Sequence, residues 1–416
     1  MRKYIYGIDF GTSNSALAIL DVEKNEIVRL FTLPSLLFFP ENAKDYYVGK
    51  EAIEKYVASH RKGRFMKSVK RVLPNKSFKD TKIQGKPFTA EELVSLIISA
   101  LKKEADAFLG ENITTAVIGR PVVFDENPEK DALAQSRLQK AVALAGIETS
   151  YFQMEPIGAA FTYERQLQQA ELVLVADFGG GTSDFTLMQL NPQAVNEANR
   201  KADMRAKGGI YLGGDNFDMA LMWQKGTPHF GKGLEYQSQP NKWLPVPISF
   251  FLNICSWEKM NFFDSIKIKN EVKTYYNLSG QQPKLRNLLT LIEQNLGYHL
   301  FTSLEKTKIA LSQSDATDFS FHEAGIDFEE KITVGDFADN IIKNELQQID
   351  NYLVSFLDRF QISPQDINSV FMTGGTSLVR PLQQTFIQRF GAEKVKSGDN
   401  FHSVAMGLAY SYVLFV

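Results

Sequence analysis

Two stretches of the chain place short apolar runs on both sides of a glycine-rich polar turn. Residues 4–20 turn at Asp9-Phe10-Gly11-Thr12-Ser13, and residues 172–185 turn at Asp177-Phe178-Gly179-Gly180-Gly181-Thr182-Ser183. Aliphatic and aromatic runs that flank such a turn predict strand, tight turn and strand. Because the two turns share their order of residues, the chain contains an internal repeat. We therefore predict two related halves, each supplying one aspartate-bearing hairpin to a shared site.

Between the two hairpins, helical periodicity alternates with apolar runs. A helix over Ala90–Leu109 is predicted from the capping box of Thr89 and Glu92, the stop at Gly110 and apolar residues at helical spacing. The next predicted elements are a strand over 114–124 that ends near Pro121, a helix over about 130–144, a strand over 151–154 and a helix that begins at Glu155. Alternating strands and helices predict an α/β fold.

The second half repeats this order with other insertions. Residues 208–218 predict a glycine-rich strand exit before a helix, residues 304–312 a helix, and residues 369–377 a strand that passes through two glycines into a helix. Residues 31–88 and 223–330 are expected to be less regular. The second insert carries an aromatic cluster, which we interpret as core with a partner surface as the alternative; its members are Trp243, Phe250, Phe251, Trp257, Phe262 and Phe263.

Composition narrows the class of protein. With 416 residues and 44% hydrophobic content, the chain is long enough for two or more cored domains. A formal net charge of −2 gives no basic field, so we expect neither nucleic acid nor an anionic membrane as a partner. A single cysteine, Cys255, cannot form an intrachain disulfide, which suits a reducing, cytoplasmic location.

Neither end of the chain predicts export or membrane insertion. The N-terminus reaches Asp9 too soon to contain the apolar core of a signal peptide. Residues 403–416 are apolar but fall short of the roughly 20 residues that span a bilayer. We interpret them as a buried helix.

The two aspartate-led turns contain the groups that a nucleoside triphosphate and a divalent cation require. Glycines allow backbone N–H groups to converge on phosphate, and Asp9 and Asp177 suit Mg²⁺, which is usually bound through one or two carboxylates and phosphate oxygens. The sequence has no Gly-x-x-x-x-Gly-Lys-Ser/Thr run, so the hairpins would hold the phosphates without a P-loop. Hydrolysis needs a group that orients water and a cation for developing charge, and Glu155 and Lys70 are candidates of the right type.

Several motifs, in order along the chain, resemble the ATPase domain of DnaK-type heat-shock chaperones. They are Gly7-Ile8-Asp9-Phe10-Gly11-Thr12-Ser13-Asn14-Ser15, Asp177-Phe178-Gly179-Gly180-Gly181-Thr182-Ser183-Asp184, Leu212-Gly213-Gly214-Asp215-Asn216-Phe217-Asp218 and Gly374-Gly375-Thr376-Ser377. The resemblance covers essentially the whole chain. The run from Val117 to Pro121 and the early C-terminus look most like the stand-alone, YegD-like members of the superfamily.

The resemblance implies an α/β, actin-like ATPase fold. It has two lobes around a nucleotide cleft, each with a mixed-sheet α/β core and an inserted subdomain. The expected boundaries are 1–33, 112–170 and 402–416 for the lobe I core, 34–111 for its inserted subdomain, 171–222 and 336–401 for the lobe II core and 223–335 for its inserted subdomain. The chain reaches Val416 without the peptide-binding domain of a full chaperone, so we expect no peptide clamp in it.

The resemblance also implies a role for each motif in binding ATP or ADP with Mg²⁺. Asp9 and Asp177 would hold Mg²⁺ through water, and Lys70, Glu155, Asp177 and Thr182 would be catalytic. Residues expected to contact the phosphates are Gly11, Thr12, Ser13, Asn14, Gly179, Gly180, Gly181, Gly213 and Gly214. Residues expected on the ribose side are Glu305, Lys308 and Ser312, and those expected near adenosine are Gly374, Gly375 and Thr376.

Three positions depart from the family pattern. Ile309 stands where the family places an arginine against the adenine face, and Leu378 replaces a second arginine. Phe401-His402-Ser403 occupies a stretch that is usually acidic in the family. We therefore expect Mg-ATP binding with weakened selectivity for the base.

Three functions remain open on the sequence alone. The leading hypothesis is a slow, Mg-dependent ATPase that acts as a nucleotide-controlled conformational switch and signals to an unknown protein partner. The alternatives are an actin-like scaffold that self-assembles and a small-molecule kinase of the same superfamily. The sequence does not indicate an oligomeric state.

Overall fold

The computed structural model describes residues 3–41, 44–200, 202–260, 265–398 and 402–416. Its strands are β1 Tyr4–Asp9, β2 Asn14–Asp21, β3 Glu26–Pro34, β4 Leu36–Pro40, β5 Tyr47–Val48, β6 Gly63–Lys67, β7 Thr81–Ile83, β8 Lys86–Phe88, β9 Thr115–Arg120, β10 Thr149–Met154, β11 Glu171–Phe178, β12 Ser183–Leu190, β13 Met204–Ile210, β14 Glu235–Gln239, β15 Lys242–Pro245, β16 Ala316–Glu323, β17 Ile326–Thr333, β18 Ser369–Thr373 and β19 Val395–Ser397. Its α-helices are α1 Gly49–Ala58, α2 Ala90–Leu109, α3 Pro128–Leu144, α4 Glu155–Glu164, α5 Gly214–Leu221, α6 Ile248–Ile254, α7 Trp257–Met260, α8 Ile266–Leu278, α9 Pro283–Glu293, α10 Gly297–Leu311, α11 Val334–Asp336, α12 Lys343–Arg359, α13 Arg380–Phe390 and α14 Ser403–Tyr410.

The chain divides into two compact units. The first unit comprises Met1–Gly214, Ile349–Ser377 and Gln383–Val416, and the second comprises Asp215–Gln348 and Leu378–Leu382. The predicted mixed α/β class is confirmed, since both units combine helices with strands. The four-part division into lobe cores and inserted subdomains stays a prediction.

The first unit contains two five-stranded sheets that have the same arrangement. One has the order β10-β9-β1-β2-β3 and the other the order β13-β12-β11-β18-β19. In each, the strand before the aspartate-led turn pairs antiparallel with the strand after the turn and parallel with a third strand. Both predicted strand–turn–strand units are therefore confirmed.

Side chains of β1 alternate between two layers of the core, as expected for a strand that is buried on both faces. Tyr6 and Ile8 belong to the cluster formed with residues of α2 and α3, whereas Ile5 packs with Ala405 and Ala409 of α14. The layer that contains α4 and α14 also includes residues from both sheets, such as Val117 and Val175. The two helices are thus buried between the two sheets of this unit. The predicted buried helix over residues 403–416 is confirmed for Ser403–Tyr410, after which the chain continues as a 3-10 helix over Ser411–Phe415.

Helix α2 begins and ends where the sequence predicts. The Thr89 side chain accepts a hydrogen bond from the Glu92 N–H, the Glu92 side chain accepts one from the Thr89 N–H, and Gly110 ends the helix in the left-handed conformation. Of its periodic apolar residues, Leu93, Ile97 and Leu101 are buried, but Phe108 is largely exposed.

The insert over residues 31–88 is more regular than its sequence predicts. It contains a three-stranded sheet of order β5-β4-β6, the hairpin β7-β8 and helix α1. Strand β4 is apolar along its whole length, and its central residues Leu37 and Phe38 are fully buried. A continuous apolar run lacks the alternation that marks a strand, which explains why the pattern alone did not predict this sheet.

The second unit is also more regular than expected. It contains helices α6–α10 and the hairpins β14-β15 and β16-β17. From the predicted aromatic cluster, Phe250, Phe251 and Trp257 are buried, whereas Trp243 is exposed. Phe262 and Phe263 lie outside the described residues. No helix among the described ranges has the length and apolarity needed to cross a bilayer.

Candidate functional site

A buried ion pair lies at the centre of the predicted site in the first unit. Lys70 lies in a short 3-10 helix, and its Nζ donates to Oε1 of Glu155, the first residue of α4, at 2.7 Å. The two side chains are only 11% and 10% exposed. Burial lowers the pKa of Lys70, but the carboxylates of Glu155, Asp9 and Asp177 outweigh that effect and raise the pKa above its usual value.

Three aspartates surround this ion pair. Burial raises the pKa of Asp9 to about 7, with a contribution from Glu155 that Lys70 opposes. Burial, Glu155, Asp9 and Asp184 together raise the pKa of Asp177 well above its usual range. Burial and Glu155 also raise the pKa of Asp184 to about 7, although hydrogen bonds from Thr182 and the Val122 N–H stabilise its ionised form. One lysine therefore faces four acidic groups, an excess of negative charge that a cation would relieve.

The two glycine-rich turns approach each other beside these acidic groups. A Cβ placed on Gly181 would lie 3.7 Å from Oγ1 of Thr12 and 3.9 Å from Nε of Arg71. The second turn is closed by the Gly179 N–H, which donates to the Thr182 carbonyl at 3.0 Å. In the first turn, the Ser35 hydroxyl donates to the carbonyl of Gly11 at 2.8 Å, and the Ser35 N–H donates to the carbonyl of Ser13 at the same distance.

The loop after β18 approaches Asp177 closely because Gly374 has no side chain. Gly374 has a φ of +81°, and a Cβ there would lie 2.7 Å from Oδ1 of Asp177. The Thr376 hydroxyl donates to the Gly179 carbonyl at 2.9 Å, and the Gly214 N–H donates to the same carbonyl at 3.0 Å. Gly213 and Gly214 also border the second turn, since a Cβ on Gly213 would lie 2.8 Å from that carbonyl.

The predicted passage from a strand through two glycines into a helix is confirmed, but the helical segment begins as a 3-10 turn. A 3-10 turn over Gly375–Leu378 intervenes, and α13 begins only at Arg380. The Ser377 hydroxyl and N–H both donate to the Gly374 carbonyl, which favours a tight turn at this point.

Glu305, Lys308 and Ser312 lie in the second unit, at the C-terminal part of α10. The first two are within the helix, and Ser312 is its C-terminal cap. Lys308 Nζ donates to Oδ2 of Asp218 on α5 at 2.8 Å. The two replacements Ile309 and Leu378 also belong to this unit, and they are 53% and 39% exposed. Phe401 of the third departure lies outside the described residues.

The structure adds three polar residues that sequence reasoning gave no role in binding or catalysis. Arg71 donates to the Tyr211 hydroxyl at 3.1 Å and reaches the turn at Gly181, and Asp218 holds Lys308. Each of the three lies close to a predicted site residue in the sequence, and this proximity was the available signal. Arg71 follows Lys70 directly, while Tyr211 and Asp218 flank the paired glycines 213 and 214.

The residues present suit a magnesium ion that is bound mainly through water and phosphate. Among the ranges that the structure describes, no group of three His, Cys, Asp or Glu side chains could hold a metal ion directly. Asp9 and Asp177 supply the hard oxygen ligands that Mg²⁺ prefers, in a cluster with excess negative charge. This donor set fits an ion that retains several waters.

Comparison with known proteins gives one consistent family. A family model described as "Hsp70 protein" matches residues 5–232 and 291–414. The "Chaperone protein DnaK" of Thermosipho melanesiensis is 25% identical over 421 residues, which cover 98% of this chain and 59% of the relative. The "Chaperone protein DnaK" of Thermotoga neapolitana is 26% identical over 423 residues, with 98% and 59% covered. The chain thus spans about three fifths of the length of these relatives.

Proposed function

Because the chain belongs to the Hsp70 protein family, and hence has the actin-like ATPase fold, we propose that it binds ATP with Mg²⁺, hydrolyses ATP slowly and acts as a nucleotide-controlled conformational switch. The observation that carries the proposal is the buried pair of Lys70 and Glu155 among the carboxylates of Asp9, Asp177 and Asp184. A cluster of strongly perturbed acids around one lysine is typical of a reacting centre.

The two turns and four residues of this cluster have a role in the proposal. The amides of the turns at residues 11–14 and 179–181 bind the phosphates, and Asp9 and Asp177 hold Mg²⁺ through water. When bound, Mg²⁺ neutralises charge on the phosphate oxygens. Glu155 orients the attacking water and accepts its proton, which Lys70 assists by holding the carboxylate in place.

Lys70 has a second role once the phosphates are bound. Its ammonium group stabilises the negative charge that develops on the transferred phosphoryl group, and this effect is strong in a buried site. The Thr182 residue ends the glycine-rich turn that begins at Gly179. In the proposal, its hydroxyl contacts the γ-phosphate.

The proposed conformational switch follows from the phosphate contacts that separate segments of the chain share. Contacts from two separate segments, at residues 9–14 and 177–182, depend on the same phosphates, so loss of the γ-phosphate removes contacts that both segments share. The second segment is also linked to the loop after β18, because the Thr376 hydroxyl donates to the Gly179 carbonyl. The proposed partner is an unidentified protein that distinguishes the two states. The relatives are named as chaperone proteins, which favours this function over the scaffold and kinase alternatives. The cytoplasmic location stays a prediction.

The test is ATP turnover and ATP binding for the wild type, Lys70→Met and the control Lys79→Ala, an exposed lysine in the same segment. We expect Lys70→Met to reduce phosphate release by about 100-fold or more while the calorimetric Kd changes by less than about tenfold. EDTA should abolish turnover in every variant, and thermal unfolding checks that each variant is folded.

Three results would contradict the proposal in whole or in part. If the wild type does not bind ATP, the proposed function fails. If Lys70→Met turns ATP over as fast as the wild type, the mechanism fails. Binding without turnover in the wild type would leave a nucleotide sensor and remove the ATPase.

A further inference from the structure

The segment that carries Lys70 is too short to hold its own shape. Lys70 lies in a 3-10 helix of four residues, Val69–Val72, and so short a helix does not persist in water without tertiary contacts. Ser68, directly before this helix, has a φ of +59°, a conformation that costs free energy in a residue other than glycine. The position of Lys70 therefore depends on contacts from outside this segment.

Arg137 of α3 supplies such contacts to the chain that follows Lys70. Its Nη1 donates to the carbonyls of Val72 and Leu73 at 3.1 Å and 2.9 Å. The same nitrogen donates to the carbonyl of Asn75 at 3.0 Å, and Nη2 donates to the carbonyl of Phe78 at 2.6 Å. One guanidinium group thus joins four backbone carbonyls of a single segment.

The surroundings of Arg137 show that its charge is committed to this segment. The residue is buried, with only 9% of its surface exposed. Within the described parts of the chain, all of its hydrogen bonds go to these four carbonyls and none goes to a carboxylate. Hydrogen bonds from a buried charged donor are stronger than those between neutral groups, and the planar guanidinium presents its donors in fixed directions. Arg137 therefore fixes the shape of residues 72–78.

The backbone connects Arg137 to the group that takes part in the reaction. Leu73, whose carbonyl accepts from Arg137, donates its N–H to the carbonyl of Lys70 at 3.2 Å. The Lys70 side chain in turn reaches Glu155 at 2.7 Å. Leu73 also packs in the same apolar cluster as Leu138, the residue that follows Arg137 on α3. Polar and apolar contacts of α3 thus hold the backbone from which Lys70 extends.

We propose that Arg137 is a positioning residue that keeps the Lys70 ammonium group in place for Glu155 and for the transferred phosphoryl group, by holding the carbonyls of residues 72–78. The proposal rests on the proposed function, in which Lys70 acts in ATP hydrolysis. Because Arg137 acts through Lys70, its loss lowers the rate of the chemical step and leaves the affinity for ATP nearly unchanged.

The experiment measures single-turnover hydrolysis of radiolabelled ATP, with protein in excess so that slow rates remain measurable, and the calorimetric Kd. We expect Arg137→Met to reduce the rate by about tenfold and to change the Kd by less than about twofold. Arg137→Lys should have an intermediate rate, since one ammonium group cannot reach the carbonyls that Nη1 and Nη2 contact separately.

The same substitution in a Lys70→Met background distinguishes positioning from general stabilisation. Once the lysine is absent, Arg137 has nothing to position, so Arg137→Met should slow the remaining hydrolysis by less than about twofold. A residue that only stabilises the fold would slow both backgrounds by the same factor.

Lys394→Met is the matched control in the first unit. Lys394 is also a cation that holds the backbone of one loop, and it donates to the carbonyls of Ile367 at 2.7 Å and Gln365 at 3.2 Å. That loop precedes β18 and contains none of the predicted site residues. We expect both Lys394→Met and Arg137→Met to unfold at a lower temperature than the wild type, but only Arg137→Met to hydrolyse ATP more slowly.

The outcomes separate this inference from the proposed function. If Arg137→Met hydrolyses ATP as fast as the wild type, or slows both backgrounds by the same factor, the positioning role is overturned and the proposed function stands. If Arg137→Met does not fold, Arg137→Lys in the two backgrounds decides the same comparison. If the wild type does not hydrolyse ATP, the proposed ATPase fails and this inference fails with it.

Discussion

Cys255 follows the last residue of α6, where only 2% of its surface is exposed. Burial raises the pKa of its thiol to about 12, although Lys232 and Lys259 favour the thiolate. Because the thiolate is the reactive form, the native protein should react with a thiol reagent far more slowly than a free cysteine at pH 7.5.

The measurement is the rate of labelling by Ellman's reagent in buffer and in guanidinium chloride. One thiol per chain should react promptly only after unfolding, and Cys255→Ser should give no signal in either condition. Rapid labelling of the native wild type would show that the thiol is accessible.

Residue types were easier to predict than residue partners. Lys70 was predicted as a cation and Glu155 as a group that orients water. Their direct contact joins a 3-10 helix to the start of α4 and has no signature in either segment. The pairing of Asp218 with Lys308 joins residues on two helices far apart in the sequence, and again only the tertiary structure brings them together. A sequence motif indicates which functional groups a segment carries. Which side chains those groups contact depends on the packing of elements that are distant in the sequence.

Among the helices, α2 shows what the sequence can predict and α8 shows what it cannot. Helix α2 has a capping box, a glycine stop and a periodic apolar face, and its limits were predicted to the residue. Helix α8 buries only Val272 and begins at a Ser265 cap, so its apolar pattern gives little signal. A helix without a continuous apolar face owes its order to caps and neighbours, which a periodicity search does not detect.

The contact between α4 and α14 depends on two glycines that face each other. A Cβ on Gly407 would lie 1.5 Å from the Gly158 carbonyl oxygen, so the two helices would have to move apart. We expect Gly407→Ala to reduce the free energy of unfolding of the first unit by about 3 kcal/mol, as overpacking of a rigid core does.

Gly110→Ala is the control within the same unit. Gly110 has a φ of +70°, but a Cβ placed on it would meet no atom within 4 Å, so its substitution adds backbone strain without a clash. We expect a loss of about 1 kcal/mol in denaturant unfolding. If Gly407→Ala costs no more than this control, the helices are not in the close contact described.

At the scale of the whole molecule, we predict weak selectivity among nucleotides from two positions in the second unit. Ile309 and Leu378 expose apolar side chains at the positions where the family resemblance implies arginines beside adenine. We expect the affinities for ATP and GTP to agree within about tenfold, since no guanidinium group stacks on the base there. Ile309→Arg should increase the affinity for ATP several-fold. The control is Leu278→Arg, which places an arginine at a different exposed apolar position of this unit. Strong preference for ATP in the wild type, measured by calorimetry, would contradict this prediction.

At the same scale, the sequence predicted the repeated hairpins better than the inserted segments. The turns at Asp9 and Asp177 repeat one motif, and the structure shows the same strand order around both. The inserts have no such copy elsewhere in the chain, and their apolar runs are compatible with either strand or helix. Their architecture therefore became evident only from the structure.

The packing of α14 against β1 constrains how the protein is made. The backbones touch so closely that a Cβ on Gly7 would lie 2.3 Å from the Ala405 carbonyl oxygen. The ribosome releases β1 first and α14 about 400 residues later, a delay of roughly 20–80 s at ordinary rates of translation. Until then the face of β1 that carries Ile5 has no helix to cover it. The nascent chain is therefore exposed to aggregation until α14 has been translated, and only then can the first unit complete its core.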